Sequence, residues 1–308
     1  MGAVGLVSLG LVLAPSLALA QPAHAPSESV TVTGTKSREV LQGFVQSLAA
    51  PTRLAGKLAR WEDGICPVTV GLRPEFVKFV NRRLKEVAAQ VGAPANDKAT
   101  CGPNIAIVFT TTPQALLDNV RKKRPILLGY YDNSAQLEKL ATVSHPVQAW
   151  YMTATRDLGG AVQFDGAKPA GLINDMEFPC DICAGGKIVL HPDRVMSVTG
   201  SRLGDGLRSD LYNVVIVADP TKLLSYEMGS LADYIAMLAL SQVASLDTCQ
   251  QLPSIVNMLV AGCETRSSTL TENDMAYLRG LYKMGLDHNL AAQKDQVSYQ
   301  MEQELKGR

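Results

Sequence analysis

The side chains with most chemistry to offer are six cysteines: Cys66, Cys101, Cys180, Cys183, Cys249 and Cys263. An even count in an exported chain argues for disulfides. Sequence alone leaves fifteen pairings open. Order along the chain suggests Cys66–Cys101, Cys180–Cys183 and Cys249–Cys263, each closing a local loop. Cys180-Asp181-Ile182-Cys183 also has the spacing of a thiol redox motif. A thioredoxin-type pair sets its first cysteine at a helix N-terminus, which lowers the thiol pKa. Here Pro179 precedes the pair and Gly185-Gly186 follows it, which reads as a loop. A structural disulfide is the expectation, ahead of redox or metal chemistry. A zinc site would need a second ligand pair, and there is neither another Cys-x-x-Cys nor a His-x-x-x-His.

Four histidines remain to be weighed: His24, His145, His191 and His288. None shares a metal-like spacing with another. His145 and His191 each precede a proline in a loop, so all four read as surface residues rather than ligands. Gly-x-Ser-x-Gly, Walker A, Gly-x-Gly-x-x-Gly and His-Glu-x-x-His are all absent. Paired carboxylates for glycosidase-type chemistry leave no linear signature. Glu62-Asp63, Asp175, Glu177 and Glu227 are candidates by residue type alone. Neither a catalytic residue nor a metal ligand nor a cofactor is therefore expected.

The composition narrows the partner class. Lys plus Arg and Asp plus Glu both number 29, so the formal net charge is zero. A nucleic-acid binder usually carries a basic excess, because phosphate neutralisation supplies much of its affinity. The longest basic run, Arg121-Lys122-Lys123-Arg124, reads as a solvated helix end, where cations suit the macrodipole. Residues 1–20 carry no charge. Val4 to Leu13 is apolar but for small residues, and Ala18-Leu19-Ala20 is the small-x-small pattern of a signal peptidase site, with cleavage before Gln21. A second match, Ala23-His24-Ala25, is followed by Pro26, which hinders cutting. The usual positive n-region is missing. There is no cysteine at the cleavage point for a lipid anchor, and no later stretch is long and apolar enough to cross a bilayer. Export to the periplasm or the medium is the expectation.

The elements that must position these side chains follow from periodicity and punctuation. Residues 21–50 read as a leader segment with a short strand (Val30 to Thr33) and a helix (Glu39 to Leu48). Pro74 to Val91 is an amphipathic helix with Val77, Val80, Leu84, Val87 and Val91 on one face, Pro74 in its first turn and Gly92 at its end. Ile105 to Phe109 is a buried strand. Thr112-Pro113 opens a helix, and Ser134 to Thr142 is a shorter one. Strands are expected over Val147 to Thr155 and Leu211 to Ala218, with glycine-punctuated short strands between them. Helices are expected over Ser230 to Gln242, Leu252 to Val260 and Thr271 to Lys283. Thr271 caps the last of these, with Asp274 at N3. Residues 287–308 read as a polar C-terminal helix or tail. The fold class is α+β, a mixed sheet with packed helices and a helical C-terminal third, forming one domain over 51–286.

The strand Leu211 to Ala218, followed by the helix Gly229-Ser230-Leu231-Ala232-Asp233-Tyr234-Ile235-Ala236-Met237-Leu238-Ala239-Leu240, resembles the core of zincin-type metallopeptidases. Leu270-Thr271-Glu272-Asn273-Asp274 with Leu278, Leu281 and Tyr282 is similar to the closing helix of metzincin-like domains and of uncharacterised secreted proteobacterial families related to them. The resemblance covers the order of elements over residues 75–285 and no intact motif. It implies a zincin-like domain in which Asp233, Tyr234 and Met237 stand where His, Glu and His would, a degenerate site unable to hold zinc. The residues themselves offer another role: Ser230-x-x-Asp233 reads as a capping box and Met237 as core.

The expectation is an exported, non-catalytic pseudoenzyme with a binding or structural role toward a protein or other envelope ligand. A hydrolase with a carboxylate-based site, and a periplasmic thiol-disulfide protein using Cys180 and Cys183, are the alternatives.

Overall fold

The computed structural model describes residues 1–2, 37–96, 98, 100–166, 198–199 and 205–307, with the backbone of 176–179 and 187–190. The expected signal peptide, the strand Val30 to Thr33 and the pair Cys180 and Cys183 lie outside the described residues. The chain divides into two units, Met1–Gly34 and Thr35–Arg308. The elements below belong to the second.

The protein is α+β, with a mixed sheet and a helical C-terminal third. Strands β1 (Ala59–Arg60), β2 (Pro67–Val70), β3 (Ile105–Phe109), β4 (Val147–Arg156), β5 (Val162–Asp165) and β8 (Arg208–Ala218) form a six-stranded sheet. A hairpin of β6 (Met176–Pro179) and β7 (Lys187–Leu190) forms a second, two-stranded sheet. The main order is β2-β3-β8-β4-β5, and β1 pairs with the start of β8. β2, β3 and β8 run parallel, while β4 is antiparallel to both β8 and β5. β8, the near-continuous apolar run, takes the centre, as a strand buried on both faces must.

Two apolar clusters sandwich the sheet. On one face, β3, β4 and β8 pack against α1 (Arg38–Leu48), α2 (Pro74–Val91), α5 (Met228–Leu240), α6 (Glu272–Lys283) and α7 (Leu290–Lys306). On the other, Trp150, Met152, Val215 and Val217 meet Leu117 of α3 (Pro113–Lys123), the 3-10 turn Pro125–Leu128 and residues of and after α4 (Ser134–Leu140). The boundaries expected after residues 50 and 286 are not boundaries of packing. Leu41, Phe44, Val45 and Leu48 of α1 and Val297 and Met301 of α7 are each at most 1% exposed and share one core with the elements between. At the α6–α7 crossing a Cβ on Gly280 would stand 2.9 Å from the Val297 carbonyl oxygen, so only glycine admits this approach.

Helix α5 is buried along Ser230 to Leu240, apolar on every side, as a helix enclosed between sheet and helices must be. Its last carbonyls need partners that water does not supply. Aromatic donors from three places provide them. Tyr151 Oη donates to Leu238 O, Trp61 Nε1 to Ala239 O and Tyr282 Oη to Leu240 O. The expected helix Leu252 to Val260 is instead a 3-10 turn, Ile255–Leu259. Asn257 explains the difference: its side-chain amide donates to the Gln250 and Thr265 carbonyls at 3.1 and 3.0 Å, and its Oδ1 accepts from Gln250 N at 2.7 Å. Those bonds hold the segment as a wound loop.

Candidate functional site

The trio on α5 is built into the core. Asp233, Tyr234 and Met237 are 3%, 1% and 0% exposed. The expected Ser230-x-x-Asp233 capping box does not form, because the helix starts at Met228 with Glu227 as N-cap. That leaves the Asp233 carboxylate free to tie three elements. Oδ1 accepts from Arg83 Nε of α2 at 2.6 Å, and Oδ2 accepts from the Leu270 backbone N–H, just before α6, at 3.0 Å. The hydrogen bond to this carboxylate holds the Arg83 guanidinium above its usual pKa. Burial pushes the Tyr234 phenol up. Among the described residues no group of three His, Cys, Asp or Glu is placed to hold a metal ion.

Disulfides join Cys66 to Cys101 and Cys249 to Cys263. The first fastens the approach to β2 beside the approach to β3. The second closes the loop that follows α5.

Among the described residues, the carboxylates named by type are not gathered into one site. Glu62 pairs with Arg60 at 2.7 Å, Asp63 lies 3.5 Å from Arg156, and Glu227 stands at the N-cap position of α5 with no side-chain capping bond. Asp175 and the Glu177 side chain lie outside the described residues. Two other carboxyls, Asp165 and Asp210, are pushed up chiefly by burial. Asp165 is paired across the sheet with Thr153 and Asp210 with Ala154. Cross-strand partners share a face and neighbours along a strand do not, so the two carboxyls point to opposite faces. Asp165 accepts from the Thr153 and Thr155 hydroxyls at 2.7 and 2.9 Å, while Asp210 pairs with Arg156. They do not form an acid–base pair.

What the fold does build is a cleft of about 760 Å³ along β4. β5 covers only Thr153 to Arg156 of that strand, so the edge from Gln148 to Met152 is left to the cleft and the turn beside it. Three segments far apart in sequence wall it. Residues 50–53 follow α1, residues 242–244 follow α5, and residues 128–130 precede α4. The first two are tied together: Ala50 N donates to Gln242 O and Ala244 N to Leu48 O, at 3.0 and 2.9 Å. The aromatic caps on α5 fix where residues 242–244 emerge. The third approaches β4 so closely that a Cβ on Gly129 would stand 2.5 Å from Tyr151 O, and its φ of +86° suits glycine alone.

The lining is mixed, more apolar than polar, and carries two cations. Gln136, Lys139, Thr142 and Ser144 come from α4 and the turn after it, and Thr52 and Arg53 face them in the lining. Arg53 lies 3.5 Å from Asp132, an exposed pair. Tyr130 Oη donates to the same carboxylate at 2.6 Å, which pushes the phenol up and the Asp132 carboxyl down.

Ser144, part of the lining, has its Oγ 2.8 Å from His145 Nδ1, and His145 Nε2 lies 2.8 Å from Asp247 Oδ1. His145 is half-buried, its side chain 20% exposed and engaged at both nitrogens. His288 sits in the turn between α6 and α7. His24 and His191 lie outside the described residues. Nothing in the sequence marked this trio beyond the adjacency of Ser144 and His145, since Asp247 is 102 residues away.

No family model, curated protein or solved structure matches this chain.

Proposed function

We propose that the protein is an exported binding protein of the periplasm or the medium that holds a negatively charged, hydrogen-bonding ligand in the cleft along β4. Its β8–α5 core is then a zincin-like scaffold whose helix has been given over to packing. The cleft carries the proposal: one concavity, walled by three sequence-distant segments, lined by Arg53, Lys139 and several amide and hydroxyl side chains. Two disulfides fit an oxidising compartment. Among the described residues no helix is long and apolar enough to cross a membrane. The burial of Asp233, Tyr234 and Met237 supports a structural role for α5.

Trp150, one of two tryptophans, belongs to the apolar cluster beneath the cleft and also lines it, while Trp61 lies in the other cluster. Titration of the mature protein with the anionic aromatic probe 8-anilinonaphthalene-1-sulfonate, read by energy transfer from Trp150, tests the proposal. Saturable 1:1 binding is expected. It should weaken about tenfold in Arg53→Gln/Lys139→Gln, if each cation contributes about 0.7 kcal/mol. Absence of binding, or binding indifferent to both cations, would overturn it.

A further inference from the structure

We infer that Ser144, His145 and Asp247 form a nucleophilic relay that meets the cleft at Ser144, able to pass the acyl group of an anionic carboxylic ester to Ser144 and then to water. The inference rests on the cleft as the ligand site and goes beyond it, from binding to chemistry.

The hydrogen-bond chain has a fixed polarity. A carboxylate offers only acceptor atoms, so the His145 nitrogen facing Asp247, Nε2, must carry the proton. The neutral imidazole then presents a lone pair at Nδ1. Ser144 Oγ, 2.8 Å from that lone pair, must donate to it. Gln148 Oε1 is a poorer competitor at 3.4 Å and is already engaged by the Ser144 backbone N–H at 3.0 Å. Serine donating to histidine, with histidine donating to aspartate, is the order of groups that activates a hydroxyl nucleophile. It is recognised by geometry and role rather than by sequence position. Here the base nitrogen is Nδ1 and the anchored one Nε2, the reverse of the usual assignment.

The backbone is tied at both ends. Pro146 O, one residue past the base, accepts from Asp219 N at 2.8 Å, and Val147 then enters β4 fully buried. Asp247 N donates to Ser245 Oγ at 3.1 Å, and Cys249, two residues on, is in a disulfide. Ser144 itself lines the cleft.

The step balances without a co-reactant other than water. Ser144 Oγ bonds to the ester carbonyl carbon as its proton passes to Nδ1. Collapse of the tetrahedral adduct expels the alkoxide, which takes that proton and leaves as alcohol. Water, deprotonated by Nδ1, then attacks the acyl-serine and releases the acid, and the proton returns to Oγ. Asp247 touches no reacting atom and acts as a positioning residue. Its side chain is 81% exposed, so solvent screens its charge. Its removal should cost about two- to fivefold, as for an exposed ion pair, rather than the ten-thousandfold loss seen at a buried triad aspartate.

The mature protein is treated with a fluorophosphonate, and separately with mono-4-nitrophenyl succinate. One equivalent of label on the peptide containing Ser144 is expected. Nitrophenolate release should fall at least tenfold in Ser144→Ala and in His145→Gln. Asp247→Asn should lower kcat two- to fivefold with KM unchanged, and Asp247→Glu should restore most of it. Absence of label at Ser144, or a Ser144→Ala variant with the parent rate, would overturn the relay. If the naphthalenesulfonate probe still binds in that case, the binding proposal stands alone. If it does not, both fall.

Discussion

Asp233 is the position where a metal-site remnant and a structural tie predict different outcomes. Its carboxylate is 4% exposed and holds both Arg83 and the Leu270 N–H. Arg83 is 29% exposed. Breaking a buried pair by removing one partner costs about 3–5 kcal/mol, because the charge left behind is stranded. Asp233→Ala leaves the guanidinium to Glu86, 3.8 Å away, and to water, and orphans one backbone N–H. Its cost should be near the lower end, about 3 kcal/mol. Arg83→Gln strands the carboxylate, which has no water to turn to, and should cost as much or more, about 3–4 kcal/mol. The double variant should cost less than the sum of the two, since the residues share one interaction. Urea denaturation followed by circular dichroism measures these differences, with metal content read in parallel. Asp233→Ala within about 0.5 kcal/mol of the parent, the usual range for a neutral surface change, would refute the reasoning. So would one equivalent of zinc that the substitution removes.

Three further outcomes follow from the same structure. Tyr282→Phe removes the donor to Leu240 O and leaves a buried carbonyl unpaired, so it should cost about 1–3 kcal/mol by the same denaturation assay. Asp165 is pushed up from its ordinary 3.8, chiefly by burial, so the folded chain holds its proton to higher pH than the unfolded chain does. Its contribution is therefore full below pH 3.8 and is lost as pH rises through the folded value. Asp165→Asn should accordingly reduce the gain in Tm on moving from pH 7 toward pH 4, and an unchanged pH profile of Tm would count against the assignment. Non-reducing mass mapping of the purified protein should find, under the export proposed above, an N-terminus at Gln21, together with no free thiol and the pairs Cys66–Cys101 and Cys249–Cys263. Removing either pair should cost about 4 and about 3 kcal/mol respectively, from loop closures of 35 and 14 residues.

Where local signals agreed, the elements were legible. Helix α2 runs from Pro74 to Val91, between the proline and glycine that bracket its apolar face. β3 spans the apolar run Ile105–Phe109, and Thr271 with Asp274 forms the capping box expected of it. Where the signal depended on distant partners, it was not legible. α5 is apolar all round, so no stripe marks its first turn, and Ser230 looks like a cap two residues inside the true start. The turn at 255–259 has helical composition, but Asn257 binds carbonyls outside it. α1 looks detachable until its buried face is seen against the core. The cleft was illegible for the same reason. Residues 50–53, 128–130 and 242–244 have no local pattern in common, and tertiary hydrogen bonds and the close pass at Gly129 bring them together.

The most direct test of the cleft as the working site is hydrogen–deuterium exchange of the mature protein with and without the naphthalenesulfonate probe. Protection should rise at 50–53, 128–130, 148–153 and 242–244, the segments that line it. Protection confined to other surfaces, or none at all at saturating probe, would contradict the account.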